Sequence, residues 1–286
     1  MILIDCQLEL DKFCRAISEE KIISIDTEFE RSNTYYAKLS LIQIVSKNYQ
    51  IIIDVLAKLD LTPFRKLLQE VKILKIFHAS RQDFEILYNI FGEIPLNIFD
   101  TQIGAKVIGF GESLSYADLC WQICKVKLDK TNQFSNWLKR PLSTSKLNYA
   151  INDVLYLEKI YEFIQNKIKQ NGLEDLYSKE LVKLMSLDNY KFDVNNAWKK
   201  VKFKNISKKF EERIKQVAAF REEYARLLDI PRRHLLTDEE LINICKVSPI
   251  NNQQLEKINI KSRYFKKNKL GVRLQELCLA LKEDEF

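Results

Sequence analysis

The strongest constraint on this chain is the stretch Ile22-Ile23-Ser24-Ile25-Asp26-Thr27-Glu28-Phe29. β-Branched residues crowd it, so it reads as a strand, and in a strand residues two apart share a face of the pleat. Asp26 and Glu28 therefore stand side by side. On so apolar a strand, two neighbouring carboxylates lose hydration and repel each other unless a cation meets them. With no His or Cys close by, two oxygen ligands suit Mg²⁺ or Mn²⁺ better than Zn²⁺. An edge strand pointing both acids into water satisfies the same pattern, and the strand alone does not choose.

Composition removes several classes. A chain of 286 residues, 46% hydrophobic, has material for one large domain and a smaller one. No run approaches the ~20 apolar residues of a membrane span, and the N-terminus lacks the basic region and cleavage site of a secretory signal. A cytoplasmic location without membrane partners is the expectation. Six cysteines form no Cys-x-x-Cys pair, and two His leave no zinc set, so the thiols are expected to be reduced and structural. Six Gly and no phosphate-cradling loop argue against a nucleotide cofactor. Charge is uneven: Lys199 to Arg233 holds twelve Lys/Arg against five Asp/Glu, and Lys257 to Arg273 seven against none. With a net charge of +7, the remainder is acidic. The C-terminal third thus suits a polyanion, although a solvated basic face has the same composition.

Periodicity gives the order of elements. An apolar start leads into an amphipathic helix with Leu8, Leu10, Phe13 and Ile17 at helical spacing. After the carboxylate strand, Lys38 to Val45 and Gln50 to Val55 read as two strands of a meander turned at Ser46-Lys47-Asn48. A helix near Pro63 with Thr62 as cap, a strand Ile73 to Phe77, a helix Gln82 to Ile90 and a short strand at Ile98-Phe99 follow. Helices from Thr101, Ser113 and Ser143 complete an α/β domain on a mixed sheet. Residues 171–205 read as a connection with a helix from Glu174 to Leu187, and from about Ile206 the pattern is wholly helical. There Phe210, Ile214, Val217, Ala218 and Leu228 form a stripe, Pro231 breaks it, and Thr237-Asp238-Glu239-Glu240 opens another helix as a capping box.

Two later acids could complete the pair on the first strand. Asp83 follows a buried strand through His78-Ala79-Ser80-Arg81-Gln82, at the sheet end where open α/β folds collect their sites. Complementing the helix dipole is its simpler role. Asp153 lies four residues after Tyr149, on one helix face among Ile151, Val154, Leu155 and Leu157. An ion pair with Lys146 or with neighbours on the Lys159 side is its simpler role.

Taken together, Asp26-Thr27-Glu28-Phe29 with Tyr35-Tyr36 and Leu41-Ile42-Gln43, then His78-Ala79 with Asp83, then Leu128-Asp129-Lys130, Trp137-Leu138 with Arg140-Pro141-Leu142, and Tyr149-Ala150 with Asp153, resemble the ribonuclease D family of DEDD exonucleases, tyrosine subclass. The resemblance covers residues 1 to about 165, and the tail resembles, more weakly, an HRDC domain. Lys146 departs from a common Gln, and Arg81 from a usual acidic or polar residue.

The resemblance implies a ribonuclease H-like mixed sheet flanked by helices (residues 1–170), a helical connection (171–205) and an HRDC-like RNA-binding domain (206–286). It implies a 3′-to-5′ exoribonuclease that releases nucleoside 5′-monophosphates and acts on RNA with free 3′ ends, tRNA precursors above all. Asp26, Glu28, Asp83 and Asp153 would hold two divalent cations, Mg²⁺ or Mn²⁺. Tyr149 would orient the attacking water, since a phenol of ordinary pKa is a poor base at neutral pH. Phe29 could wedge against the terminal base, and Gln43 and His78 could touch sugar or phosphate. Each of these three also suits core packing. The resemblance leaves Trp137 and Arg140 as structural or peripheral RNA contacts. Tyr264 and Phe265 could stack bases or pack on neighbouring helices. A DNA exonuclease with the same acids, or a binding protein without catalysis, remains an alternative.

Overall fold

The computed structural model describes residues 1–203, 208–267 and 269–283. They form two compact units, residues 1–30 with 37–191 and residues 31–36 with 192–286. The boundary expected at residues 205–206 lies outside the described residues.

In the first unit the order is β1 (Ile2–Ile4), α1 (Gln7–Ile17), β2 (Ile22–Glu30), β3 (Lys38–Val45), β4 (Gln50–Asp54), α2 (Thr62–Gln69), β5 (Leu74–Phe77), α3 (Arg81–Phe91), β6 (Ile98–Asp100), α4 (Thr101–Val107), α5 (Tyr116–Leu119), α6 (Thr144–Leu155), α7 (Leu157–Gln170) and α8 (Glu174–Met185). The sheet runs β1-β4-β3-β2-β5-β6. β2, β3 and β4 form the antiparallel meander, while β1, β5 and β6 pair in parallel. The fold is the mixed α/β sheet that the alternation of periods predicts.

Both faces of the sheet are covered, which is why β3 and β4 read as nearly continuous apolar runs. Ile23 and Ile25 belong to a core with Phe13, Phe64, Phe84 and Leu87 from α1 to α3. Leu41, Ile52 and Ile76 belong to a second core with Trp137, Ala150, Val154, Leu157 and Ile160. Each such buried side chain contributes roughly 1.5–3 kcal/mol relative to exposure. Strand alternation puts Asp26 and Glu28 on the face of the second core, opposite Gln43 and Leu41 of β3. The central strand thus carries apolar residues on one side and acids on the other.

Two local expectations differ. Thr62 is the first residue of α2 and not its cap; Asp60 accepts from the Thr62 N–H at 2.9 Å instead. The helix expected from Ser113 starts at Tyr116, capped by Ser115, and passes at Cys120–Cys124 into one π-helical turn. Among the described residues no helix is long and apolar enough to cross a membrane.

The second unit contains α9 (Lys208–Leu227), α10 (Arg232–Leu235), α11 (Asp238–Val247), α12 (Asn252–Glu256), α13 (Arg263–Lys267) and α14 (Leu270–Glu283). Ile214, Val217, Ala218, Leu241, Ile244 and Leu274 form its core, against which Tyr264 and Phe265 both pack. Two charges lie inside. Arg221 meets Asp238 at 2.7 Å and the Leu236 carbonyl at 3.2 Å, and Glu222 accepts from the Tyr35 hydroxyl at 2.7 Å. Leaving either without its partner costs on the order of 3–5 kcal/mol. The Thr237/Glu240 capping box starts α11 as the sequence predicts.

Gly104 of α4 sits where a Cβ would come within 2.6 Å of Ile164 Cγ2 on α7 and 3.1 Å of Phe99 Cζ. Gly104→Ala is expected to destabilise the first unit by about 1–3 kcal/mol through overpacking, despite the better helix propensity of Ala. A denaturant-unfolding midpoint equal to or above wild type would contradict that packing.

Candidate active site

Three elements position the four acids. Asp26 and Glu28 lie in the C-terminal half of β2, just before a bulge that shifts the register to β3. Asp83 stands in the first turn of α3 and is buried. The turn ahead of it is fixed by Asp100 at the end of β6. The Asp100 carboxylate accepts from the Ser80 N–H at 2.9 Å, the Ser80 hydroxyl at 2.8 Å and the Gln102 N–H at 2.9 Å. Thr27, between the two acids of β2, donates its hydroxyl to Asp83. Asp83 is thereby joined to the strand of Asp26 and Glu28.

Tyr149 and Asp153 come from α6, one turn apart, with the phenol close enough to favour the ionised Asp153 carboxylate. The segment before α6 is pinned to the sheet: Arg140 makes a two-pronged pair with Asp54 at 2.6 and 2.7 Å and donates to the Trp137 carbonyl at 2.7 Å. Arg140 and the buried Trp137 are structural here. Lys146 does not form the ion pair that would have occupied Asp153. Its ammonium donates to the Asn136 carbonyl at 2.6 Å and lies 5.4 Å from the Trp137 ring centre.

The acids resist ionisation together. Burial raises the Asp26 pKa well above its usual value, and the charges of Asp83, Asp153 and Glu28 raise it further. Burial, then Asp153 and Asp83, push Glu28 up to about 9. Burial lifts Asp83 to about 7 against the Thr27 hydrogen bond, and Asp153 to about 6 against that of Tyr149. Burial and the neighbouring carboxylates push Tyr149 up as well, away from any role as a base near neutrality. Four hard-oxygen acids, of which Asp26 and Glu28 are raised further by the charges of the others, form a site suited to hard cations. Among the described residues, the group of three ligating side chains within 4.8 Å of one another is the exposed Asp5, Cys6 and Glu9. The four acids are therefore spread more widely than a single ion's nest.

Asp26, Tyr149 and Asp153 line a cavity of about 180 Å³ with His78, Tyr116 and Lys130. Of the three residues expected at the substrate, His78 lies on this wall, its Nδ1 2.9 Å from Thr101 Oγ1. Gln43 is wholly buried opposite Asp26, with neither amide atom hydrogen-bonded within the protein. Phe29 is half-buried and packs on the core of α1 to α3. Sequence reasoning missed Asp100, Thr27 and Tyr116 as supports or walls. Only Asp100, an acid between a strand and a helix, carried a legible signal, that of an N-cap.

Comparison with known proteins matches this architecture. Residues 1–169 fit the family model described as 3′-5′ exonuclease, and residues 210–277 fit the HRDC domain. The fold and the matched model thus define a 3′-to-5′ exonuclease followed by an HRDC domain. Ribonuclease D of Jannaschia sp. is 36% identical over 268 residues, covering 92% of this chain and 69% of that protein. Ribonuclease D of Gluconacetobacter diazotrophicus is 32% identical over 280 residues, covering 98% of this chain and 71% of its own. The crystal structure of Escherichia coli RNase D superposes with a TM-score of 0.88 at 26% identity, over 98% of this chain and 75% of that one. The chain belongs to the ribonuclease D family; it is a 3′-to-5′ exoribonuclease of the DEDD superfamily, a hydrolase.

The raised pKa values fix a sign for stability against pH. Unfolded carboxyls titrate near 4, whereas in the fold Asp153, Asp83 and Glu28 hold protons to about 6, 7 and 9. These groups bind more protons in the fold across this window, so their contribution to stability is fully present below about pH 4 and is lost as pH rises toward 9. In chelator, Asp26→Asn is expected to gain on wild type by several degrees in melting temperature between pH 5 and 9. A gap that does not widen with pH would show that the acids do not repel as described.

Proposed function

We propose that Asp26, Glu28, Asp83 and Asp153 hold two divalent cations, Mg²⁺ or Mn²⁺, and that the cavity beside them receives the 3′-terminal nucleotide of an RNA strand. The observation that carries this reading is the mutual repulsion of four hard-oxygen acids brought together from β2, α3 and α6. When bound, such a pair of ions stabilises the entering and leaving oxygens of an in-line displacement and lowers the pKa of water.

The chain's own groups do the rest. Asp26 lies within the field of the other three acids, while Asp83 is steadied by Thr27 and the ionised form of Asp153 is favoured by Tyr149. Tyr149, kept protonated, holds the attacking water by hydrogen bond and takes no proton from it. His78 faces the same cavity and is kept neutral by burial, which lowers its pKa, so it meets the sugar or phosphate as a neutral imidazole. Attack on the last phosphodiester leaves a nucleoside 5′-monophosphate and a strand one residue shorter.

The basic residues of the C-terminal third suit the phosphates of a structured RNA. The substrates we propose are tRNA precursors and other small RNAs with free 3′ ends, trimmed in the cytoplasm. Contacts of this kind weaken as salt rises. Binding of a tRNA precursor in chelator is expected to fall by more than tenfold between about 50 and 200 mM salt; salt-independent binding would give the basic surface another partner.

Asp26→Asn is expected to reduce turnover at least a thousandfold while binding RNA as well as wild type or better. The measurement is a digestion time course on matched 5′-labelled RNA and DNA strands with Mg²⁺, with Mn²⁺ and with chelator. A metal-dependent ladder shortening from the 3′ end of RNA supports the reading. A variant with wild-type turnover would overturn the site, and an equal ladder on DNA would overturn the sugar preference.

A further inference from the structure

The catalytic cavity does not end at the carboxylates. Its volume of about 180 Å³ equals that of roughly six waters, too little for more than one nucleotide, so a longer strand must continue outside it. Four of its wall residues, Ala117, Leu128, Asp129 and Lys130, also line a second, open groove of about 840 Å³. The remaining walls of that groove are Asp118, Trp121 and Lys127.

Trp121 stands out among them. It is 59% exposed, although an indole is costly to leave in water, and it sits on the single π-helical turn Cys120–Cys124, a geometry that is rare and frequent at functional sites. The charges around it are unequally engaged. Asp118 accepts from the Ser115 hydroxyl at 2.6 Å, and Asp129 accepts from the Thr131 N–H at 2.9 Å and from its hydroxyl. Both carboxylates are thus used in local turns. Lys127 and Lys130 are exposed, and among the described residues neither is in an ion pair.

We propose that this groove is the subsite for the RNA strand next to the terminal nucleotide, with a base stacked on Trp121 and a phosphate held by Lys127. An aromatic face joined to a basic side chain binds single strands without reading their sequence, because every base offers a π-face. That suits an enzyme that must accept each base in turn. The proposal rests on hydrolysis taking place at the carboxylate site, onto which this groove opens.

The test is steady-state hydrolysis of a 5′-labelled ten-nucleotide RNA, together with anisotropy-measured binding of the same RNA in chelator. Trp121→Ala is expected to raise KM and weaken binding by about fivefold to a hundredfold, with kcat within about twofold. Trp121→Phe, which keeps a stacking face, recovers most of the loss. Lys127→Gln lowers the slope of log affinity against log salt by about one phosphate contact. Unchanged KM and binding in Trp121→Ala overturn the groove, as does an equal loss in Trp121→Phe or a fall in kcat alone, which would mark a structural role. If wild type hydrolyses nothing while Trp121→Ala still weakens binding, the carboxylate assignment falls and the groove stands.

Discussion

Four carboxylates held against their own repulsion set the terms for the first unit. Such a cluster opposes folding at neutral pH, and it persists only because the surrounding cores over-determine it. The supply is visible: β2 buries Ile23 and Ile25 on one face while presenting Asp26 and Glu28 on the other. The acids ride on a strand anchored from behind. Asp83 and Asp153 are then delivered by helices whose starts and flanks are fixed by neutral or paired groups, through Asp100 at Ser80 and through Arg140 at Asp54.

The division of labour between strand and helix has a chemical consequence. A strand places alternate residues on one face at a fixed spacing, so two acids two residues apart hold their separation stiffly. Helix ends are set by caps, and Asp83 near the start of its helix is tied back to the sheet by the Thr27 hydroxyl. Tyr149 is fixed by the same helix as Asp153 and shares its movements. In the proposed mechanism this couples the water held by Tyr149 to the cation held by Asp153, and precision of this kind is what a displacement at phosphorus needs.

The second unit solves a different problem. It is rich in like charge, yet it buries Arg221 and Glu222 side by side in one helix, Arg221 paired with Asp238 and Glu222 with the Tyr35 hydroxyl and Lys200. Among the described residues, Arg221 Nε and Glu222 Oε2 are left without a hydrogen-bond partner. Such buried ions contribute little net stability but make misregistered packing of the helices costly. The exposed lysines and arginines can then form a basic surface while the fold is specified from within. In the first unit, four acids are gathered with, among the described residues, only the Lys146 charge opposing the rise at Glu28; in the second, the buried charge is paired.

Much of the candidate site was legible in the residues. Asp26 and Glu28 followed from period-two alternation on an apolar strand, Tyr149 and Asp153 from a four-residue helical spacing, and the capping box at Thr237 from local chemistry alone, because each depends on contacts within a few residues. The family motifs supplied the grouping of the acids, since sequence distance carries no information on which helix start meets which strand. What only the tertiary structure decided was long-range. Thr27 reaches Asp83 across 56 positions and Arg140 reaches Asp54 across 86; the Lys146 ammonium turns to Trp137 and Asn136 and not to Asp153. Local propensity fixes an element and its exposed face. Which faces meet, and which charges are left to repel, is set by packing between elements, and that information exists only once the chain has closed on itself.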